Sequence, residues 1–388
     1  MSIKGKCAIV GLGVTAMGKV YGRSATDFAA EAVQLALDDA GLQKEDIDGL
    51  LVNANMSAEM GIQLQAALGL ENLSLLNVMN AYGSTAGTMI QYASLAIESG
   101  LAKTVILVYA DDPLKPDKSA GASYSGTGRN ISGMNSLLPA YGYYGANTGY
   151  ALALQRHMHL FGTTSEQLGS IAVAQREWAQ MNPWAQMRTP LTLEEHQKSR
   201  YVVEPLHLFD CCLVSNGGIA VIITSAERAR SLKQPPVYIL GLGQGAPGGT
   251  RRTDREPGIY TGATQSGRIA LHMAGIDRQD IDILELYDCY TYTVLVTLED
   301  YGFCAKGEGG AFVADGKLGP GGSLPTNTGG GELSAYYMWG FTPLSEGIVQ
   351  ARGQGGERQV AKNDLVLVSG NGGILSYHST TILSKHMA

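Results

Sequence analysis

Residue types able to do chemistry gather in four short stretches of this chain. In LELYDCYTYTVLVTLEDYGF a strand-like run ends near Leu286, and Tyr287, Asp288, Cys289, Tyr290 and Tyr292 follow before a helical pattern begins. A layered α/β protein places its sites at the carboxyl ends of strands, and a positioned phenol can take or give a proton there. Tyr290 and Tyr292 also fit amphipathic packing, so Tyr287 is the better catalytic candidate, with Asp288 beside it. In NTGGGELSAYYMWG, glycines including Gly330 stand next to Asn327 and precede Tyr336, Tyr337 and Trp339. Such glycines let a backbone approach a ligand closely, and the aromatic residues would wall the pocket. Near the C-terminus, LVLVSGNGGILSYHS sets Asn371, Gly372 and Gly373 after a strand. Their N–H groups could face a developing oxyanion, or the turn could simply join two strands. In NAYGSTAG a strand gives way to a helix through small residues, and the side chain at that elbow is Tyr82 or Ser84. No G-x-S-x-G elbow and no G-x-x-x-x-G-K-[ST] loop is present.

Other chemistries find little support. The seven histidines include no pair at zinc-site spacing with a supporting carboxylate, and the cysteines, Cys7, Cys211, Cys212, Cys289 and Cys304, lack C-x-x-C spacing. No metal site and no disulfide framework is expected. Lys and Arg total 28 against 35 Asp and Glu, a net charge of -7 that argues against nucleic acid as the main partner. No signal-peptide pattern opens the chain and no window approaches a membrane span, so a cytoplasmic protein is expected.

The elements that must position these residues show an internal repeat. Ala8–Gly13 (AIVGLG) is echoed by Tyr238–Gly243 (YILGLG), and Ala40–Leu50 by Ala274–Leu284. Two matched segments in the same order imply two β-α-β halves, with a seam in the charged, proline-ended stretch before residue 236. The division predicted is 1–235 and 236–388. An irregular Gly, Ser, Asn and Tyr-rich segment, Asp111 to Tyr150, opens an insertion of about 112–200 in the first half, with helices at Ala151–Phe161 and Ser165–Met181. A chain of 388 residues with 51 glycines, roughly twice the usual share, suits such tightly stacked layers.

On these segments, together with MRTPLTLEE, EPLHLFDCCLVSNGGIAVIIT and ARGQGGERQV, the chain resembles the thiolase superfamily, in the branch of sterol-carrier-protein thiolases and lipid-transfer proteins. The resemblance implies a five-layered αβαβα sandwich of two related halves with a loop insertion in the first. It also implies coenzyme A as part of the substrate. Thiolytic relatives carry a nucleophilic Cys at the elbow, where the matching place here is Tyr82. Their His-Asp-Cys-Phe motif is replaced by Tyr287, Asp288, Cys289 and Tyr290, and their Gly-His-Pro motif by Tyr336, Tyr337 and Met338. The late Cys-x-Gly motif is missing too, with Ser369 or Gly370 near its place.

Without a thiolate no acyl-cysteine can form readily near neutrality. Tyr287 and Tyr337 instead resemble the two active-site tyrosines of acyl-CoA aldolases that complete steroid side-chain degradation with a DUF35-type zinc-ribbon and OB-fold companion. The reaction implied is retro-aldol cleavage of a β-hydroxyacyl-CoA to a ketone or aldehyde plus acetyl-CoA or propionyl-CoA. One phenol is expected to act as base with a lowered pKa and the other as acid. Membership of a homodimer follows from the same resemblance. The alternatives are a non-catalytic acyl-CoA or lipid-binding subunit and a thiolase or acyltransferase with an atypical site.

Overall fold

Strand β1 (Cys7–Val14) and helix α1 (Ala25–Ala40) show why the Gly-x-Gly repeat exists. A Cβ at Gly13 would lie 2.0 Å from the Ala32 carbonyl oxygen of the helix above it, so helix and strand touch backbone to backbone. The same contact recurs between β6 (Val237–Gly245) and α5 (Ala263–Ala274), where a Cβ at Gly243 would lie 2.0 Å from the Ser266 carbonyl oxygen. Helix α1 starts on a capping box between Ser24 and Asp27 and ends on Gly41 in the left-handed conformation.

The computed structural model describes residues 3–56, 60–123, 133–248 and 256–387. The first half adds β2 (Gly49–Asn53), β3 (Leu75–Met79), α2 (Thr85–Glu98), β4 (Thr104–Asp111), the insertion helices α3 (Ala146–Phe161) and α4 (Ser165–Gln180), and β5 (Gly217–Ser225). After β6 and α5 come β7 (Ile283–Glu285), α6 (Thr291–Tyr301), α7 (Phe341–Ala351), β8 (Val366–Gly372) and β9 (Tyr377–Ser384). The middle of the irregular segment predicted between Asp111 and Tyr150 lies outside the described residues, and α3 begins at Ala146 rather than Ala151.

Strand order is β3-β2-β4-β5-β1-β6-β9-β8-β7. The half with β1 pairs β2 in parallel with β3 and β4, while β5 runs antiparallel to β4 and β1. The half with β6 repeats that plan: β7 and β8 are parallel, β9 is antiparallel to β8 and β6, and a lone parallel bridge from Leu284 to Thr326 stands where a further strand would lie. Even the irregularities match, since the register slips at Val10 against β5 and at the equivalent Leu240 against β9. The sheet edges of the two halves join, because Ala8 pairs with Tyr238 and Ile9 with Val237.

Helices fill the space between and outside. Helix α1 covers β1, β4 and β5, and α5 covers β6 and β9. Helix α2 contacts β4 and β5 on one side and β8 and β9 on the other, while α7 reaches β7, β8 and β1. All eleven residues of α7 are buried, as an inner layer requires. No helix among the described residues is long and apolar enough to cross a membrane.

Candidate active site

The central layer brings the two predicted tyrosines together. Tyr287 follows β7, where its backbone N–H donates to Ser369 Oγ on β8 at 3.2 Å. Tyr337 follows the glycine turn, where its N–H donates to Ser215 Oγ at 3.0 Å, and Gln186 holds that serine in turn. The two phenolic oxygens meet at 3.0 Å. Tyr287 is buried and Tyr337 half-buried, so the pair faces inward on one side and out on the other.

At the elbow the structure corrects one expectation. Tyr82 has a positive φ of 53°, is 42 % exposed and leans on Trp339 at 5.9 Å between ring centroids. The residue presented to the pair is the next one, Gly83. A Cβ there would fall 2.1 and 2.2 Å from ring carbons of Tyr287 and 2.4 Å from the Asn371 carbonyl oxygen. Ser84, the other elbow candidate, is buried and its carbonyl accepts from Ser379 Oγ.

Asp288 shapes the turn and has no hydrogen bond to either phenol. Its carboxyl accepts from the N–H groups of Glu332 and Leu333 at 2.8 to 3.1 Å, immediately after Gly330 and Gly331, both with positive φ. Burial pushes the Asp288 carboxyl up to about 7, against the pull of those N–H donors. Asn327 is a brace as well: its Oδ1 accepts from Leu286 N–H at 2.6 Å and its own N–H donates to the Leu284 carbonyl. Gly330 packs on Ala179 of α4, and Gly372 packs on the Ala81 carbonyl. Of Asn327, Gly330, Asn371 and Gly372, the residues expected near a ligand or an oxyanion, Asn371 is the one aimed at the pair's surroundings, its Nδ2 reaching Tyr150 Oη at 3.5 Å.

Tyr150, from α3, and Glu332, from the glycine turn, are site residues that sequence reasoning missed. Tyr150 stacks near Tyr290 at 4.4 Å between centroids. Tyr290 hydrogen-bonds Asn147, and Tyr292 donates to the Gly258 carbonyl at 2.6 Å, which makes them packing residues. A lone charged residue inside NTGGGELSAYY was the available signal for Glu332.

Electrostatics disfavours anions throughout this region. Burial, then the neighbouring Tyr337 and Glu332, raises the Tyr287 pKa well above that of an ordinary phenol. For Tyr287 this runs against the expectation of a base of lowered pKa, since desolvation is the largest cause and its neighbours Tyr337 and Glu332 add to it. Burial likewise raises all five thiols, Cys7, Cys211 and Cys304 to about 12 and Cys212 and Cys289 beyond the usual range. None is poised as a thiolate nucleophile. Among the described residues no group of three His, Cys, Asp or Glu could hold a metal ion.

Residues 249–385 match the family described as Thiolase C-terminal domain-like. The chain is 36% identical to a steroid side-chain-cleaving aldolase of Thermomonospora curvata, over 95% of this chain and 96% of that one. It is also 36% identical to the 17-hydroxy-3-oxo-4-pregnene-20-carboxyl-CoA lyase of Mycobacterium tuberculosis, over 96% and 98%. Among solved structures, an Ltp2-ChsH2(DUF35) aldolase superposes with a TM-score of 0.87 at 35% identity, covering 99% of each chain.

Proposed function

Because this chain belongs to the thiolase superfamily, in the branch of acyl-CoA aldolases allied to sterol carrier protein 2, we propose that Tyr287 and Tyr337 carry out retro-aldol cleavage of a β-hydroxyacyl-CoA. The observation that carries the reading is the 3.0 Å contact between their oxygens, where burial disfavours the Tyr287 phenolate and the Cys289 thiolate. A free phenolate base is then unnecessary. The β-hydroxyl proton passes to one phenol oxygen while that phenol's proton passes to its partner, and the partner's proton goes to the substrate α-carbon. The α–β carbon bond breaks, its electron pair forms the thioester enolate and ends in the new C–H bond, and the β-carbon leaves as a carbonyl. Enzyme protons are restored at the end of the cycle, and no acyl-enzyme intervenes.

The substrate class in this reading is a tertiary β-hydroxyacyl-CoA of a steroid-like side chain, released as ketone plus acetyl-CoA or propionyl-CoA. The insertion of about 112–200, in a half spanning 1–235, would wall the acyl group, with residues 236–388 supplying both tyrosines. A DUF35-type companion, a homodimer and a cytoplasmic setting belong to the same proposal. Release of the short acyl-CoA from such a substrate, with the companion present, tests it. Absence of that product across steroid and aromatic β-hydroxyacyl-CoAs would return the chain to an acyl-CoA-binding role. Light scattering tests the dimer, which a 41.0 kDa species at micromolar concentration would refute.

A further inference from the structure

Glu332 is fully buried, and neither of its carboxyl oxygens has a hydrogen-bond partner. Its position is nonetheless fixed on both sides: its N–H donates to both Asp288 oxygens, and its carbonyl accepts from Leu213 N–H at 2.9 Å. A buried polar group with no partner is costly and is kept where something uses it. The groups around the carboxyl are Tyr287, Asp288 and Cys289 from the β7–α6 junction, Cys212 from the segment before β5, and Tyr150 from α3. The cation on the packed helix α4, Arg176, is committed to Ser334 Oγ and the Thr189 carbonyl.

We propose that Glu332 is a positioning residue that stays a neutral carboxylic acid and, acting through Tyr287, allows negative charge to build on the tyrosine pair during proton transfer. The inference rests on the tyrosine relay and deepens it. Burial, then the Asp288 charge, pushes the Glu332 carboxyl well above the ordinary carboxylate range, which favours its protonated form. Once ionised, it opposes charge on Tyr287, Cys289 and Tyr150 alike. Turnover therefore falls as pH rises through the Glu332 pKa, by at most about tenfold per pH unit, toward the rate of the ionised form.

Three variants read this out. Wild-type kcat shows the alkaline fall, and Glu332→Gln, neutral at every pH, loses that limb. Glu332→Leu also loses the limb, but with the polar carboxyl replaced by an apolar group kcat drops by roughly 10- to 100-fold, which Glu332→Gln largely rescues. Difference infrared spectroscopy of resting protein at pH 7 supplies a readout without turnover, a protonated carboxyl band present in wild type and missing in Glu332→Gln. An alkaline limb unchanged in Glu332→Gln, or the absence of that band from wild type, overturns the proposal. If wild type shows the band but cleaves no β-hydroxyacyl-CoA, the aldolase reading fails, and with it the role assigned to Glu332 although the carboxyl is neutral.

Discussion

Replacing Gly83 with alanine should disable the site while leaving the fold standing. Gly83 is not among the residues with positive φ, so alanine meets no backbone penalty and the effect is steric. The added methyl would lie 2.1 Å from Tyr287 Cε2, where ordinary contact begins at about 3.4 Å, so the ring must move by more than 1 Å. The Asn371 carbonyl at 2.4 Å blocks the methyl from yielding in that direction. A shift of that size separates the two phenolic oxygens, and misplacement by about 1 Å is worth about 10²-fold in rate. Overpacking costs about 1–3 kcal/mol of stability in addition. The assay is short acyl-CoA release under saturating substrate, beside urea midpoints of both proteins. Wild-type kcat in Gly83→Ala would refute the claim that ring placement by the elbow governs catalysis. A Gly83→Ala protein unfolded at 25 °C would show the elbow to be chiefly a packing constraint.

Tyr287→Phe and Tyr337→Phe should each lower kcat by roughly 10²- to 10⁴-fold with KM nearly unchanged, as expected for a positioned proton donor or acceptor. Tyr292→Phe, which loses only its bond to the Gly258 carbonyl, should change stability by about 1 kcal/mol and turnover little. Equal losses in all three would mean that generic packing is being measured. Incubation with acyl-CoA should leave intact mass unchanged, because burial keeps every cysteine protonated; a stable adduct on Cys289 would overturn this. The raised Asp288 pKa has a defined sign in stability. Its contribution is fully present below its unfolded pKa near about 4 and is lost as pH rises through about 7. The wild-type advantage over Asp288→Asn in chemical denaturation should therefore shrink between those limits, and a constant difference would contradict the buried-acid assignment.

Much of the fold was legible because it rests on close backbone contacts that tolerate only one residue type. Gly11, Gly13, Gly241 and Gly243 repeat because two helices lie directly on two strands, and that spacing survives in sequence as AIVGLG and YILGLG. The pairing of β1 with β6 was not legible, since a two-residue edge contact leaves no periodic pattern. Within the site, Tyr287 and Tyr337 were recognisable from strand-end and glycine-turn positions. Tyr150 was not, because only tertiary packing brings α3 against Tyr290 and Asn371. Asn327, Gly330 and Gly372 looked like ligand contacts for a sound reason: close approach does demand such residues. The close neighbour is protein, namely Leu286, Ala179 and Ala81.

The elbow and the tyrosine pair are one design decision. In this fold a side chain at position 83 and a phenol at position 287 claim the same volume, since any Cβ at 83 would overlap the Tyr287 ring. A nucleophile on the elbow therefore excludes the phenol, and the phenol excludes the nucleophile. That steric exclusion couples two residues that look independent in the sequence, glycine at position 83 and tyrosine after β7. Once the ring fills the elbow's space, the Ser369 contact to Tyr287 N–H and the Ser215 contact to Tyr337 N–H set both phenols from opposite sides. Placing a thiol at the elbow alone, by Gly83→Cys, should consequently produce neither chemistry, because its sulfur would enter by displacing the ring. Gly83→Cys paired with Tyr287→Ala would open the volume, and an acyl adduct on the introduced thiol in the double variant but not in Gly83→Cys would verify the exclusion; equal acylation of both would refute it.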